Sequence, residues 1–186
     1  AVLLGTWTGL VAGTLPADIT KAQLDYARSR LETTEKTAEF RLVKGLGHPE
    51  AFRIQVEDGR TAIEADSPAG LIYGAHEVAS DEAQAGQVQR PDFDIRGTTL
   101  WLGGAVQGRR IAPYHSGFHS ETLPWFFDRP FMTRYLDKLS AARFNTLFLW
   151  ASHPFPYLLD LPEYPGATKL RPEQRKQNQQ QFHWFI

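Results

Sequence analysis

Hydrophobic positions change their spacing several times along this chain, and each change marks an element. Ala1–Gly5 is a short apolar run that reads as a strand. Ile19–Leu31 sets Ile19, Leu24, Ala27 and Leu31 near one face of a helix. Glu39–Val43 alternates as a strand, and Ala51–Glu57 does the same with Phe52, Ile54 and Val56 on one side. Asp58-Gly59 supplies the positive φ of a tight hairpin turn, after which Thr61–Ala65 returns as the partner strand. These last three strands are expected to pair antiparallel. Ser67 then reads as a helix N-cap with Pro68 in the first turn, ahead of the apolar stripe Leu71, Ile72, Ala75, Val78 and Ala79.

Residues 81–92 are polar and contain Gly86 and Pro91, so they read as a linker with a short strand at Gln87–Gln89. From Phe93 the pattern differs. Asp94–Leu102 reads as a strand, and Gly103–Phe127 as a long loop rich in Gly, His and aromatics. Asp128–Pro130 opens a helix with the stripe Phe131, Tyr135, Leu136, Leu139 and Ala142. The helical period breaks at Arg143-Phe144-Asn145, and Thr146–Trp150 follows as a continuous apolar strand of the kind covered on both faces. Ala151–Leu170 is a second long loop. Pro172–Ile186 begins another helix, whose Gln174–Gln181 segment reads as a solvated face.

The fold class implied is α/β. Residues 1–88 form a small α+β accessory domain, and residues 89–186 run β–loop–α–β–loop–α. That order gives the first two βα units of a (β/α)₈ barrel or of a doubly wound sheet. Eight such units need roughly 250 residues, so a barrel here is incomplete.

Composition narrows the function classes. With 186 residues, 42% hydrophobic and 22% charged, the chain is globular rather than disordered. A net charge of −1 leaves no electrostatic footprint for nucleic acid or an anionic membrane. No apolar run approaches the roughly 20 residues of a membrane helix. Cysteine is absent, which excludes disulfides, thiolate metal sites and a cysteine nucleophile. The chain starts at Ala1 and stops within a helical pattern, so it is expected to be a piece of a longer protein, a cleaved signal peptide being one way to account for its start. Aromatics make up 12%, with five Trp. Such side chains fill cores, and they also make the flat walls on which sugar rings stack.

Three motifs in order carry a resemblance. Ile63-Glu64-Ala65-Asp66-Ser67-Pro68-Ala69-Gly70-Leu71-Ile72-Tyr73-Gly74 resembles the end of the small domain that precedes the barrel in β-N-acetylhexosaminidases and α-glucuronidases. Pro91-Asp92-Phe93-Asp94-Ile95-Arg96-Gly97 resembles the Pro-x-Phe-x-x-Arg-Gly lead into the first barrel strand of family-20 glycoside hydrolases. Phe144–Trp150 resembles the second strand of such barrels. The first strand departs from the hexosaminidase pattern: Thr98–Gly104 lacks the Asp and the sugar-gripping Arg expected after Arg-Gly. The resemblance implies hydrolysis of O-glycosidic bonds, a carbohydrate substrate, no cofactor, and a periplasmic or extracellular place in polysaccharide degradation. It also implies that the Asp-Glu pair at the end of the fourth strand lies beyond Ile186, so no catalytic residue is assigned here and the chain alone is expected to be inactive.

The substrate-binding candidates are Trp150, His153, Arg96, Trp101, His115 and His119. Barrel chemistry sits at the C-terminal ends of the strands, where Trp150 and His153 fall. His153 can hydrogen-bond sugar hydroxyls while Trp150 stacks on the ring. The structural alternative has His153 pinning the loop and Trp150 filling the barrel interior. Arg96 suits an ion pair, or a substrate carboxylate. His115 and His119 are four apart, a zinc-like spacing on a helix, but their loop contains Gly and Ser, so they read as subsite lining and no metal is assigned. Asp160 and Glu163 read as solvated loop acids. The competing class is a non-catalytic carbohydrate-binding or interaction module, and a doubly wound domain for another ligand stands third.

Overall fold

The computed structural model describes residues 17–102, 106–107, 110–111, 119–150, 157–167 and 170–186. The strand expected at Ala1–Gly5 lies outside them, as do His115 and His153. The described chain divides into two compact units, one of residues 17–96 with Leu139–Phe144, the other of residues 97–138 with 145–186.

The first unit packs two helices on one face of a sheet. α1 (Ala17–Glu32) is followed by β1 (Glu39–Leu42), β2 (Phe52–Glu57), β3 (Arg60–Ala65), α2 (Pro68–Ala79) and a short β4 (Val88–Gln89). Sheet order is β1-β3-β2-β4. β2 and β3 form the expected antiparallel hairpin, with Asp58 and Gly59 at φ of 50° and 73°. β1 departs from the expectation: it pairs with β3, and parallel to it. Residues 43–51 carry the chain past β3's position, so β2 runs beyond it and the hairpin brings β3 back between the two.

Register aligns the apolar rows of this sheet. Phe40, Ile63 and Ile54 align, as do Ala65 and Phe52 with Leu42, which is itself exposed at the edge. Phe52, Ile54, Ile63 and Ala65 are buried, and Ala27 and Leu31 of α1 join them with Leu71, Ile72 and Ala75 of α2. Val56 was expected on this face but is 55% exposed, because it pairs with Thr61 beside the turn.

Both glycines of α2 face the sheet, which explains the Gly-Leu-x-Tyr-Gly motif. A Cβ at Gly70 would lie 2.5 Å from the Ala51 carbonyl oxygen, and one at Gly74 would run into Ile63 Cγ2 and the Phe52 ring. Ser67 caps the helix, its Oγ accepting the Ala69 N–H at 3.2 Å.

The second unit contains β5 (Gly97–Trp101), the short β6 (Val106–Gln107) and β7 (Arg110–Ile111), α3 (Pro124–Phe127), most of α4 (Arg129–Ala141), β8 (Thr146–Trp150) and α5 (Pro172–Phe185). β5 and β8 are parallel, joined by a helical crossover, which is one βα repeat. β6 and β7 form a small antiparallel ladder inside the segment read as loop. Among the described residues the sheets have four, two and two strands, and none closes on itself.

Two expectations about helix faces are corrected. In α4 Leu136 is buried and Tyr135 packs on the core as expected, but Phe131 and Ala142 are exposed and the other buried positions are Met132 and Ser140. In α5 the glutamine-rich segment is not simply solvated. Gln174, Asn178 and Gln181 are buried at i, i+4 and i+7 beside Phe185. Their amides satisfy backbone groups that would otherwise be orphaned: Asn178 donates to the Tyr157 carbonyl, Gln181 to the Phe126 carbonyl, and Gln174 accepts from the Arg171 N–H.

Candidate functional site

Parallel pairing decides which side chains meet at the ends of β5 and β8. Partner residues in register project to the same face, and alternate residues to opposite faces. Trp101 is the partner of Trp150, Thr99 of Phe148 and Gly97 of Thr146. One more ladder bond, from the Leu102 N–H to the Trp150 carbonyl at 2.7 Å, carries the pairing past the two indoles. Trp101 and Trp150 therefore stand side by side at the C-terminal ends of adjacent parallel strands.

The two faces of this strand pair are unlike. Leu100 and Leu102 are buried with Met132, Leu136, Phe126 and Phe185, and Leu147 packs against them. On the other face Trp101 is 46% exposed, Phe148 52% and Trp150 64%. A Cβ on Gly97 would approach the Phe148 ring to 2.7 Å, so the ring needs a glycine on β5 beside it. The expectation that β8 is covered on both faces is not met among the described residues. Two exposed indoles in register form an aromatic surface able to take the face of a sugar ring.

Arg96 immediately precedes β5 in the chain and belongs to the first unit. Its Nε donates to the Arg143 carbonyl at 2.7 Å, Nη1 to the Phe93 carbonyl at 2.7 Å, and Nη2 to Glu50 at 2.7 Å and the Tyr73 hydroxyl at 3.5 Å. The pKa of the Tyr73 phenol is pushed up to about 12, chiefly by burial and then by the Glu50 charge. Arg143 extends the cluster, bonding Glu77 and Gln89 and lying over the Phe52 ring at 5.2 Å.

Arg143 also ends α4. At φ 59° it forms a Schellman cap, with its own N–H bonded to the Ser140 carbonyl and the Phe144 N–H to the Leu139 carbonyl. The break in helical period at this residue was legible in the sequence; the cluster around it was not. Glu50, Tyr73, Glu77 and Gln89 carry no shared motif, and only the fold collects them.

His119 begins the turn before α3. Its Nδ1 accepts the Glu121 N–H at 3.3 Å, and its backbone exchanges bonds with Thr122 Oγ1 at 3.0 Å each way. Burial holds its pKa below the ordinary histidine value, which fits an imidazole kept neutral as an acceptor. Among the described residues no three His, Asp or Glu side chains converge as a metal-ligand set. Asp160 is exposed and ion-paired with Arg175 at 2.9 Å, and Glu163 is exposed, as expected of solvated loop acids.

Two other features bear on chemistry. Ser140 Oγ lies 3.2 Å from His76 Nε2, but that serine is 3% exposed inside a helix and the same nitrogen faces the Tyr26 hydroxyl at 3.4 Å. This is a packed polar contact, since a nucleophile needs access. A groove of about 800 Å³ opens on the polar face of the four-stranded sheet, around Glu39, Arg41, Gln55 and Arg60. It has no aromatic wall, and Arg41 is held by Glu39 at 2.7 Å, which also lowers the Glu39 pKa.

Comparison with solved structures finds the same fold within a carbohydrate-active enzyme. A GH138 enzyme targeting pectin rhamnogalacturonan II matches 93% of this chain at a TM-score of 0.69 and 24% sequence identity. The chain spans 22% of that enzyme's length. The likeness is one of fold, and it is to a GH138 enzyme rather than to a family-20 hexosaminidase or an α-glucuronidase. No family model matches the sequence, and no curated protein does. No helix among the described residues is long and apolar enough to cross a membrane.

Proposed function

We propose that the chain is part of a glycoside hydrolase, comprising an accessory α/β domain and the first two βα units of its (β/α)₈ catalytic barrel. The observation that carries this reading is the in-register, exposed pair Trp101 and Trp150 at the C-terminal ends of two parallel strands. Ligands of barrel enzymes bind at that end. The bare face of Thr99 and Phe148 is then the barrel interior, to be closed off by further strands, while Trp101 and Trp150 stand at its C-terminal rim. The fold shared with a pectin-targeting enzyme makes a pectic polysaccharide the substrate proposed here.

Glycoside hydrolysis needs an acid and a second carboxylate or its equivalent, set a defined distance apart. The described residues do not provide such a pair at the strand ends, so these groups come from the rest of the enzyme. The chain alone is expected to bind without hydrolysing. Calorimetric titration with pectic oligosaccharides and with chito-oligosaccharides tests this. Binding of the pectic series, lost in Trp150→Ala, supports the reading, and equal indifference to both series contradicts it.

A further inference from the structure

Residues 157–167 are pinned at their first turn and bare at their tip. At that turn, Asn178 of α5, fully buried, donates to the Tyr157 carbonyl at 3.0 Å, and Gln179 donates to the Leu158 carbonyl at 2.5 Å. Arg175 adds the ion pair to Asp160. At the tip, the Tyr164 N–H bonds the Leu161 carbonyl and the Ala167 N–H bonds the Tyr164 carbonyl, each at 2.9 Å. Tyr164 thus sits where two successive turns meet, between Pro162 and Pro165, whose rings fix φ on either side. Its side chain is 70% exposed.

A loop held this way has already lost, on folding, the freedom that a ligand would otherwise have to remove. What it holds out is a flat ring with a hydroxyl at one edge, a group suited to stacking with a polar contact. We infer that Tyr164 is a second sugar-stacking residue, taking a pyranose ring of the polysaccharide other than the one on Trp101 and Trp150. Glu163, exposed beside it, disfavours a uronate, so the ring it takes is a neutral one. This inference rests on the carbohydrate reading above.

The test uses the whole chain and its Tyr164→Ala and Tyr164→Phe variants, titrated with neutral-branched pectic oligosaccharides of increasing length. Tyr164→Ala is expected to weaken binding of the longer oligosaccharides about fivefold and that of the shortest not at all, while Tyr164→Phe stays within about twofold of the parent. Thermal melts of the three proteins should coincide, since the side chain is exposed. Parent-like affinity of Tyr164→Ala for every length overturns the inference and leaves the carbohydrate reading standing. Absence of binding by the parent chain itself overturns both.

Discussion

Gly74→Ala sets two physical effects against each other, and the packing of α2 decides which wins. In an exposed helix the change would stabilise by about 1 kcal/mol, since Gly is the poorer helix former. Here the new methyl meets Ile63 Cγ2 and comes within 3.2 Å of the Phe52 ring. Neither neighbour can move aside, for Ile63 is 0% exposed and Phe52 1% exposed, on the two central strands of the sheet. Overpacking of this kind costs about 3 kcal/mol, at the upper end of its usual range, leaving a net loss of about 2 kcal/mol. For a unit of this size that is a fall in melting temperature of roughly 8–16 °C.

Urea unfolding followed by circular dichroism reads the loss directly. The cycle with Ile63→Ala, which removes the obstructing Cγ2, should show the two changes costing less together than their sum. A Gly74→Ala protein as stable as the parent, or strictly additive costs, would refute the close approach of helix and sheet.

Three further outcomes follow from the described contacts. Arg96→Met should destabilise by about 3 kcal/mol by leaving Glu50 buried without its cation, and Arg96→Met/Glu50→Leu should recover part of it, both read by chemical denaturation. Ser67→Ala should cost about 1 kcal/mol through the lost cap, and Ser67→Asp should restore most of it. His119 has a folded pKa below its unfolded value of 6.5, so the folded state binds fewer protons than the unfolded one. Its contribution is fully present above about pH 6.5 and declines as the pH falls through that value toward the folded pKa. His119→Asn should remove that decline from melts recorded between pH 7 and 5.

Much of the fold is visible in local spacing, because the relevant physics is local. The Asp58-Gly59 turn, the Ser67 cap and the break at Arg143 are each written in two or three adjacent residues. The pairing of β1 with β3 is not, since alternation says which face is apolar and nothing about which strand lies alongside. The inward polar row of α5 was misread for a related reason. Glutamine and asparagine look solvent-facing by composition, and only the orphaned carbonyls of Phe126 and Tyr157 show why they are buried. At the site, Trp101 and Trp150 were legible as strand-end aromatics, and the structure adds that they are register partners. Arg96 reads in the sequence as an ion-pairing residue or a carboxylate contact, and the fold supplies the ion pair with Glu50, inside a cluster that also draws on residues 73 and 143. Leu-Pro-Glu-Tyr-Pro reads as a rigid loop from its prolines, but only the two turns show that it presents Tyr164.

The proposed function places carbohydrate on the indoles at the C-terminal ends of β5 and β8. Its most direct test follows the indole N–H resonances of the five tryptophans by nuclear magnetic resonance while a pectic oligosaccharide is added. The Trp101 and Trp150 signals, assigned by single substitution, should shift together along one saturating curve. Trp125 and Trp184, packed against the buried core, should hold still. Shifts confined to other tryptophans, or no shift at saturating saccharide, would contradict the account.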